Sequence, residues 1–498
     1  MHVSTTFRWG LASSVFTILG PAARPALAAS ERGQTITEFP VPTAGSRPYT
    51  IVPGPDGALW FTESNGNKIG RITPSGQITE YPVPTAASGP YGIAVGADGN
   101  IWFTERFADQ IGRYSPATGQ FAEFPVQPFS QPWEIAPGQD SNLWFTEEDV
   151  DQVGTVSLQG AVTEFPTGTC CFPTGIAPGV DANMWYTIEI GDIIGRLDPS
   201  GQTTPFPASQ NGVLVWDITP GPDGNVWFSE LAGRAIGRIT PTGTVVEFPI
   251  PGPFSGIAGV AAGWDGNIWY TENDTDHVGA IDVSGNVLPT YNTGSRPLSI
   301  TPGPDGNLWF TVADGNAIGR VNVASTNVGY VLSMDSAFSP SRRGIRVGET
   351  VKWMFVGPRP HSVVDVSGLG LLNSGNKPIV SYFTHAFTAA GTFRYQDGIP
   401  PATKFGWITV PVTVPTTGSV GQPFLVTWGT AAQAANIVFD VQVEVPGVSG
   451  YTLWQSTAAL SGNYTPATAG TYRFIARLRN TSTGVTIAYS PAASIVVQ

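Results

Sequence analysis

Between residues 34 and 323 short apolar runs alternate with polar turns, and the alternation repeats. Residues 91 to 125 show one unit. Tyr91-Gly-Ile-Ala-Val95 is an apolar run, and Gly96-Ala-Asp-Gly-Asn100 is a turn of the Asp-Gly type that closes tight hairpins. Ile101-Trp-Phe-Thr-Glu105 is a second strand, Ile111-Gly-Arg-Tyr114 a third and Gln120-Phe-Ala-Glu-Phe-Pro125 a fourth. The Trp-Phe-Thr-Glu phrase recurs with small variations, placing tryptophans at Trp60, Trp102, Trp144, Trp185, Trp227, Trp269 and Trp309, 40 to 42 residues apart. No segment keeps helical spacing over the length a helix needs. Seven units of this period, with turn residues at fixed offsets, predict a seven-bladed β-propeller with one four-stranded blade per unit.

The ends of the array predict how the ring closes. Gln34-Thr-Ile-Thr-Glu-Phe-Pro40 precedes the first unit and reads as a fourth strand, whereas the seventh unit stops after its third, Ala317 to Val323. The N-terminal strand should therefore complete the last blade and remove an open sheet edge. The whole chain reads as all-β: residues 1–30 a signal peptide, 31–325 the propeller, and 326–410 and 411–498 two small β-sandwich domains.

At 498 residues the chain is too long for one core. The net charge of -13 leaves no basic patch for phosphate and argues against nucleic acid. Arg8, the apolar run from Trp9 to Gly20 and the small residues Ala26-Leu-Ala-Ala-Ser30 form a secretory leader pattern. The run is too short to span a bilayer and is broken by Gly20-Pro21, and no other stretch could cross one. The expectation is an exported, soluble monomer in the periplasm or outside the cell.

The units Gly54-Pro-Asp-Gly-Ala-Leu-Trp-Phe-Thr-Glu63 with Lys68-Ile-Gly-Arg-Ile-Thr73, and Gly221 to Glu230 with Ala235 to Thr240, resemble the virginiamycin B lyase family. That resemblance implies a lyase that linearises cyclic depsipeptide antibiotics by elimination at the ester, with a histidine base and a Mg²⁺ ion held by glutamates. The family's histidines stand at the start of the innermost strands. Here that position reads Tyr49, Tyr91, Trp133, Thr174, Trp216, Ala258 and Leu298, with no histidine. Neither tyrosine nor tryptophan simply replaces a base of near-neutral pKa.

The first strand starts and the second ends on one face, so Tyr49, Tyr91, Trp133 and Trp216 should share a channel mouth with Glu63, Glu105, Glu147, Glu230 and Glu272. Aromatic faces suit a glycan or another small molecule, and clustered carboxylates suit Mg²⁺ or Ca²⁺. Alternatively the glutamates are a blade consensus, paired with Arg71, Arg113, Arg196, Arg238 or Arg320, or with backbone N–H groups. His277, the single propeller histidine, is a candidate substitute base beside Glu272 or a solvated turn residue.

Cys170 and Cys171, adjacent and the only cysteines, suit a vicinal disulfide in an exported chain; free thiols or a link to another chain are the alternatives. Ile345 to Trp353, Pro360-His-Ser-Val-Val364 and Phe387 to Tyr395 resemble a cupredoxin of the plastocyanin type. His361 falls on its first copper ligand, but Asp397 stands at the cysteine, Pro400 near the second histidine and Thr403 near the methionine. Without a thiolate no blue copper site forms, so no copper is expected. The C-terminal segment resembles a fibronectin type III or immunoglobulin-like sandwich, with Trp428 in its core and Tyr472 at a tyrosine corner. The sequence thus predicts a secreted ligand-binding or scaffold protein, with a Mg²⁺-dependent carbon–oxygen lyase as the alternative.

Overall fold

The computed structural model describes residues 36–169, 171–208, 214–252, 256–400 and 403–498. Residues 1–30, read as a signal peptide, lie outside these. Among the described residues no helix is long and apolar enough to cross a membrane. Among the described residues strands make up nearly all the regular structure, and one short 3₁₀ turn, Glu148–Val150, interrupts them.

Seven four-stranded antiparallel sheets form the blades of a propeller. The seventh contains Pro297–Pro302, Leu308–Val312 and Ala317–Val321, and its outer strand is Ile36–Pro40 from the start of the chain, paired from Ile36 opposite Val321 to Pro40 opposite Ala317. The repeated side chains explain the match. In every blade the second-strand tryptophan stacks on a fourth-strand aromatic, as Trp60 does on Tyr81 and Trp102 on Phe124. Trp309 stacks on Phe39 with ring centroids 5.5 Å apart. The strand that closes the ring therefore brings the aromatic partner that the seventh tryptophan requires. The indole Nε1–H donates to the turn aspartate four residues earlier, Trp60 to Asp56 and Trp227 to Asp223.

The arginine of the third strand serves the same tryptophan. Arg113, Arg196, Arg238 and Arg320 lie with Cζ 5.3–5.8 Å from the indole centres, and each donates to a carbonyl of the next blade. Arg71 pairs with Asp56 instead. None of these arginines forms an ion pair with the consensus glutamates among the described residues. The glycine before each arginine is obligatory: a Cβ on Gly70 would lie inside the Phe61 ring.

Beyond the propeller, two four-stranded sheets span Val328 to Val410, and a five-stranded and a two-stranded sheet span Thr417 to Val497. One apolar core from Val331 to Val497 runs through both segments. Trp428 is fully buried in it, and the Tyr472 hydroxyl donates to the Thr468 carbonyl at 2.9 Å.

The segment from Val328 to Val410 sits on the propeller face that carries the turns between first and second strands. Ser339 Oγ donates to the Gly54 carbonyl at 2.6 Å, Tyr382 OH to that of Gly263, and Lys352 to that of Trp264. Tyr330, Leu332, Met334 and Met354 share a core with Trp264 and Tyr270 of the sixth blade. The opposite face, where the inner strands begin, does not carry this cap.

Candidate functional site at the propeller axis

The inner strands begin with a bulge that shapes the axis. In all seven, pairing with the second strand shifts register after the first residue, for example between Pro132 and Ile135. The bulge frees the backbone of the second and third residues from the ladder. The threonine or serine of the second strand takes over. Its hydroxyl accepts from the third residue's N–H and donates, at 2.5–2.7 Å, to the carbonyl of the second residue in the neighbouring blade. Thr104 therefore holds Trp133, Thr187 holds Trp216 and Thr311 holds Tyr49. The chain of hydroxyls runs right round the ring.

Four aromatics held in this way meet one another. Tyr49 and Tyr91 lie 4.3 Å apart between ring centres, Tyr91 and Trp133 5.1 Å, and Trp133 and Trp216 5.5 Å. They pack across the axis as one cluster, and Tyr91 and Trp133 are buried. The Arg106 guanidinium lies 4.1 Å from the Trp133 ring centre and 5.0 Å from that of Tyr91, and pairs with Glu148. Burial pushes the Glu148 carboxyl up to about 7, against the pull of Arg106, and raises that of Glu189 in the same way. Phe107, Phe129 and Ile190 stand exposed on this face at 60%, 82% and 50%, which is high for side chains that prefer burial.

The glutamates go elsewhere. Glu63, Glu105, Glu147 and Glu230 are buried inside separate blades, each beside the fourth-strand acid of its own blade: Glu80, Glu123, Glu164 and Glu247. Burial first, then the neighbouring acid's charge, pushes Glu63, Glu147 and Glu230 up to about 8. Glu105 rises to about 7, again mainly through burial. Glu272 accepts a hydrogen bond from Thr275 at 2.7 Å, and His277 stands opposite Glu272 in the strand register. This distribution does not gather the five glutamates around a common Mg²⁺ or Ca²⁺ ion. Among the described residues no three His, Cys, Asp or Glu side chains are grouped to hold a metal.

Cys171 is disulfide-bonded, and its neighbour Cys170 lies outside the described residues. In the capping segment His361 bridges two carboxylates, Asp397 through Nδ1 and Asp335 through Nε2, both at 2.7 Å. The Lys404 ammonium stands 3.0 Å from His361 Nδ1 and 3.2 Å from Asp397. Burial works against ionisation of Asp397, yet the hydrogen bond from His361 and the charge of Lys404 hold its carboxyl well below the usual range. Burial pushes Lys404 down to about 8 in spite of that carboxylate. The Lys404 ammonium, a protein cation, thus stands beside His361 and Asp397, the two residues read from sequence against copper-ligand positions. Thr403, read from sequence as the methionine position, is its chain neighbour.

Two residues that sequence reading did not single out line the channel behind the aromatics. They are Glu134 and Asp217, third in their inner strands. That ring position reads Thr50, Gly92, Glu134, Gly175, Asp217, Gly259 and Ser299. The glycines are needed there, since a Cβ on Gly92 would come within 2.7 Å of the Trp133 carbonyl oxygen. The acids break the repeat, which is the signal that could have revealed them.

A ring of seven four-stranded blades around a shaped axis defines a β-propeller. Residues 24–171 and 167–358 match the Virginiamycin B lyase family, and the chain belongs to that family. A 43-residue stretch is 49% identical to virginiamycin B lyase of Bordetella pertussis, covering 9% of this chain and 14% of that protein. A streptogramin B lyase structure shares 34% identity with TM-score 0.56, over 58% of this chain and 97% of that one. A structure of catalytically inactive virginiamycin B lyase from Staphylococcus aureus with quinupristin shares 29% identity with TM-score 0.56, over 58% of this chain and all of that one.

Proposed function

We propose that the protein is a secreted ligand-binding member of this family, whose aromatic mouth receives a ring-bearing small molecule without cleaving it. The observation that carries the reading is the replacement at one place: Tyr49, Tyr91, Trp133 and Trp216 form a continuous aromatic cluster where the resemblance puts histidines. Exposed Phe107, Phe129 and Ile190 extend it outward, and Arg106 with Glu148 adds a polar edge. Such a surface gains affinity from apolar burial and stacking and supplies orientation through a few polar groups. The C-terminal segments, read as cupredoxin-like and fibronectin-like, would serve presentation or attachment, and a Cys170–Cys171 disulfide would stiffen a loop of the fourth blade.

The second reading, a Mg²⁺-dependent carbon–oxygen lyase, draws on family membership. Against it stand the seven mouth positions without histidine and the glutamates spread over separate blades. One titration separates the two. Quinupristin, present with the inactive relative, is titrated calorimetrically into the mature chain and its Trp133→Ala and Trp216→Ala variants, with chromatography of the recovered ligand. Saturable binding weakened at least about tenfold by either variant, with the ligand still cyclic, is expected. Ring opening would install the lyase reading, and unchanged binding in both variants would move the site away from the mouth.

A further inference from the structure

Behind the aromatic cluster the channel widens into a cavity of about 290 Å³ that reaches the capping segment. This is near the lower end of ligand pockets, which run from about 300 to 1,000 Å³. Its walls are mostly apolar residues of the seven inner strands, with Thr50, Thr219, Ser299 and Thr301 among them, and its floor includes Met334, Met354, Val356, Ile379 and Val380 of the cap. Three carboxyl groups border it: Glu134, Asp217 and Asp335.

The three differ in their partners. Asp335 is matched by Arg359 at 2.6 Å and by His361. Among the described residues Glu134 and Asp217 meet only neutral donors. Thr50 Oγ1 donates to Glu134 at 3.1 Å and the Ile135 N–H at 3.2 Å; the N–H groups of Ile218 and Val260 donate to Asp217 at 2.8 and 2.9 Å. Neither enters an ion pair among the described residues, and both open onto apolar space. An anionic carboxylate in such surroundings is costly unless a cation joins it. A largely apolar cavity that two such acids border from the same ring position is the complement of a small amine with a hydrocarbon body.

We propose that this axial cavity is a binding site for a small organic ammonium ion, whose nitrogen sits between Glu134 and Asp217 and whose apolar part lies against Met334 and Met354. The site lies on the inner side of the aromatic cluster, is distinct from the outer mouth, and is too small for a cyclic depsipeptide. Burial, reinforced by the nearby Asp217, pushes Glu134 up to about 8, and burial pushes Asp217 up to about 6. At neutral pH the empty site therefore holds a proton on Glu134, and an arriving ammonium displaces it.

The test is a calorimetric titration of the mature chain with 2-phenylethylamine at pH 7, in two buffers of different ionisation enthalpy. The amine should bind one to one with proton release, and neutral 2-phenylethanol should bind at least about tenfold more weakly. Glu134→Gln and Asp217→Asn, neutral replacements of nearly the same shape, should each weaken the amine at least about tenfold. Met334→Trp, which fills the cavity from the cap, should remove amine binding and leave quinupristin binding at the mouth intact. Equal affinity for the alcohol, parental affinity in both acid variants, or no amine binding at millimolar concentration would each overturn the site. A quinupristin failure with amine binding retained would sink the mouth reading alone.

Discussion

Glu147→Gln is the most informative single change in the blades. In the parent the Glu147 carboxyl is fully buried, the Ser130 hydroxyl is its hydrogen-bonding neighbour, and Glu164 lies close by. Its pKa rises from the ordinary 4.5 to about 8. The folded protein therefore keeps a proton here that the unfolded chain releases from about pH 4.5 upward. The group's favourable contribution is complete below pH 4.5 and is lost as pH rises towards 8, by about 1.4 kcal/mol per pH unit at most. Over that window the ceiling is about 5 kcal/mol, and relaxation and water entry reduce it to about 1–3 kcal/mol. Glutamine keeps the shape and cannot ionise. The variant should melt within about 2 °C of the parent at pH 5 and about 2–8 °C above it at pH 9, by differential scanning calorimetry. Equal destabilisation at both pH values would refute the reasoning, because it would mean that the blade needs the carboxylate itself. Addition of EDTA would then show whether a bound cation is the reason.

Three further changes probe other parts of the account. Phe39→Ala removes the half-buried aromatic on which Trp309 stacks and should cost about 1–3 kcal/mol, read as a lower melting temperature, whereas an unchanged melt would deny the closing strand a stabilising role. Lys404→Met leaves the Asp397 carboxylate buried without its ammonium partner and should destabilise the cap by about 3–5 kcal/mol at pH 7, seen as a shifted denaturant midpoint. Thr104→Val removes the hydroxyl that holds the Trp133 carbonyl and the Gly92 N–H, so it should cost about 1–3 kcal/mol and weaken mouth binding with it. Loss of stability without loss of binding would separate the hydroxyl ring from the site.

The blades were legible because their chemistry repeats. Tryptophan, turn aspartate and fourth-strand aromatic recur at fixed spacing, and the leftover strand Ile36–Pro40 carries Phe39 at the offset Trp309 requires. The mouth aromatics were legible for the same reason, as substitutions at one shared position. The glutamates were harder. Strand direction places Glu63 and its equivalents at the correct end of their strands, but it does not say that they stay inside a blade rather than reach the axis. Glu134 and Asp217 escaped because the bulge breaks strict alternation, so that two successive residues border the channel. The cap also left no local signal. Its docking on the turn face depends on Ser339, Lys352 and Tyr382 meeting backbone carbonyls that every blade offers alike. Lys404 was missed because a metal site was sought in ligand types, and the cation beside His361 and Asp397 comes from the chain.

The most direct test of the central claim is equilibrium dialysis of quinupristin against the mature chain in the presence of Mg²⁺, with chromatography of both chambers. Quinupristin should accumulate on the protein side and be recovered entirely in its cyclic form. Equal concentrations in the two chambers, or linear product on either side, would contradict it.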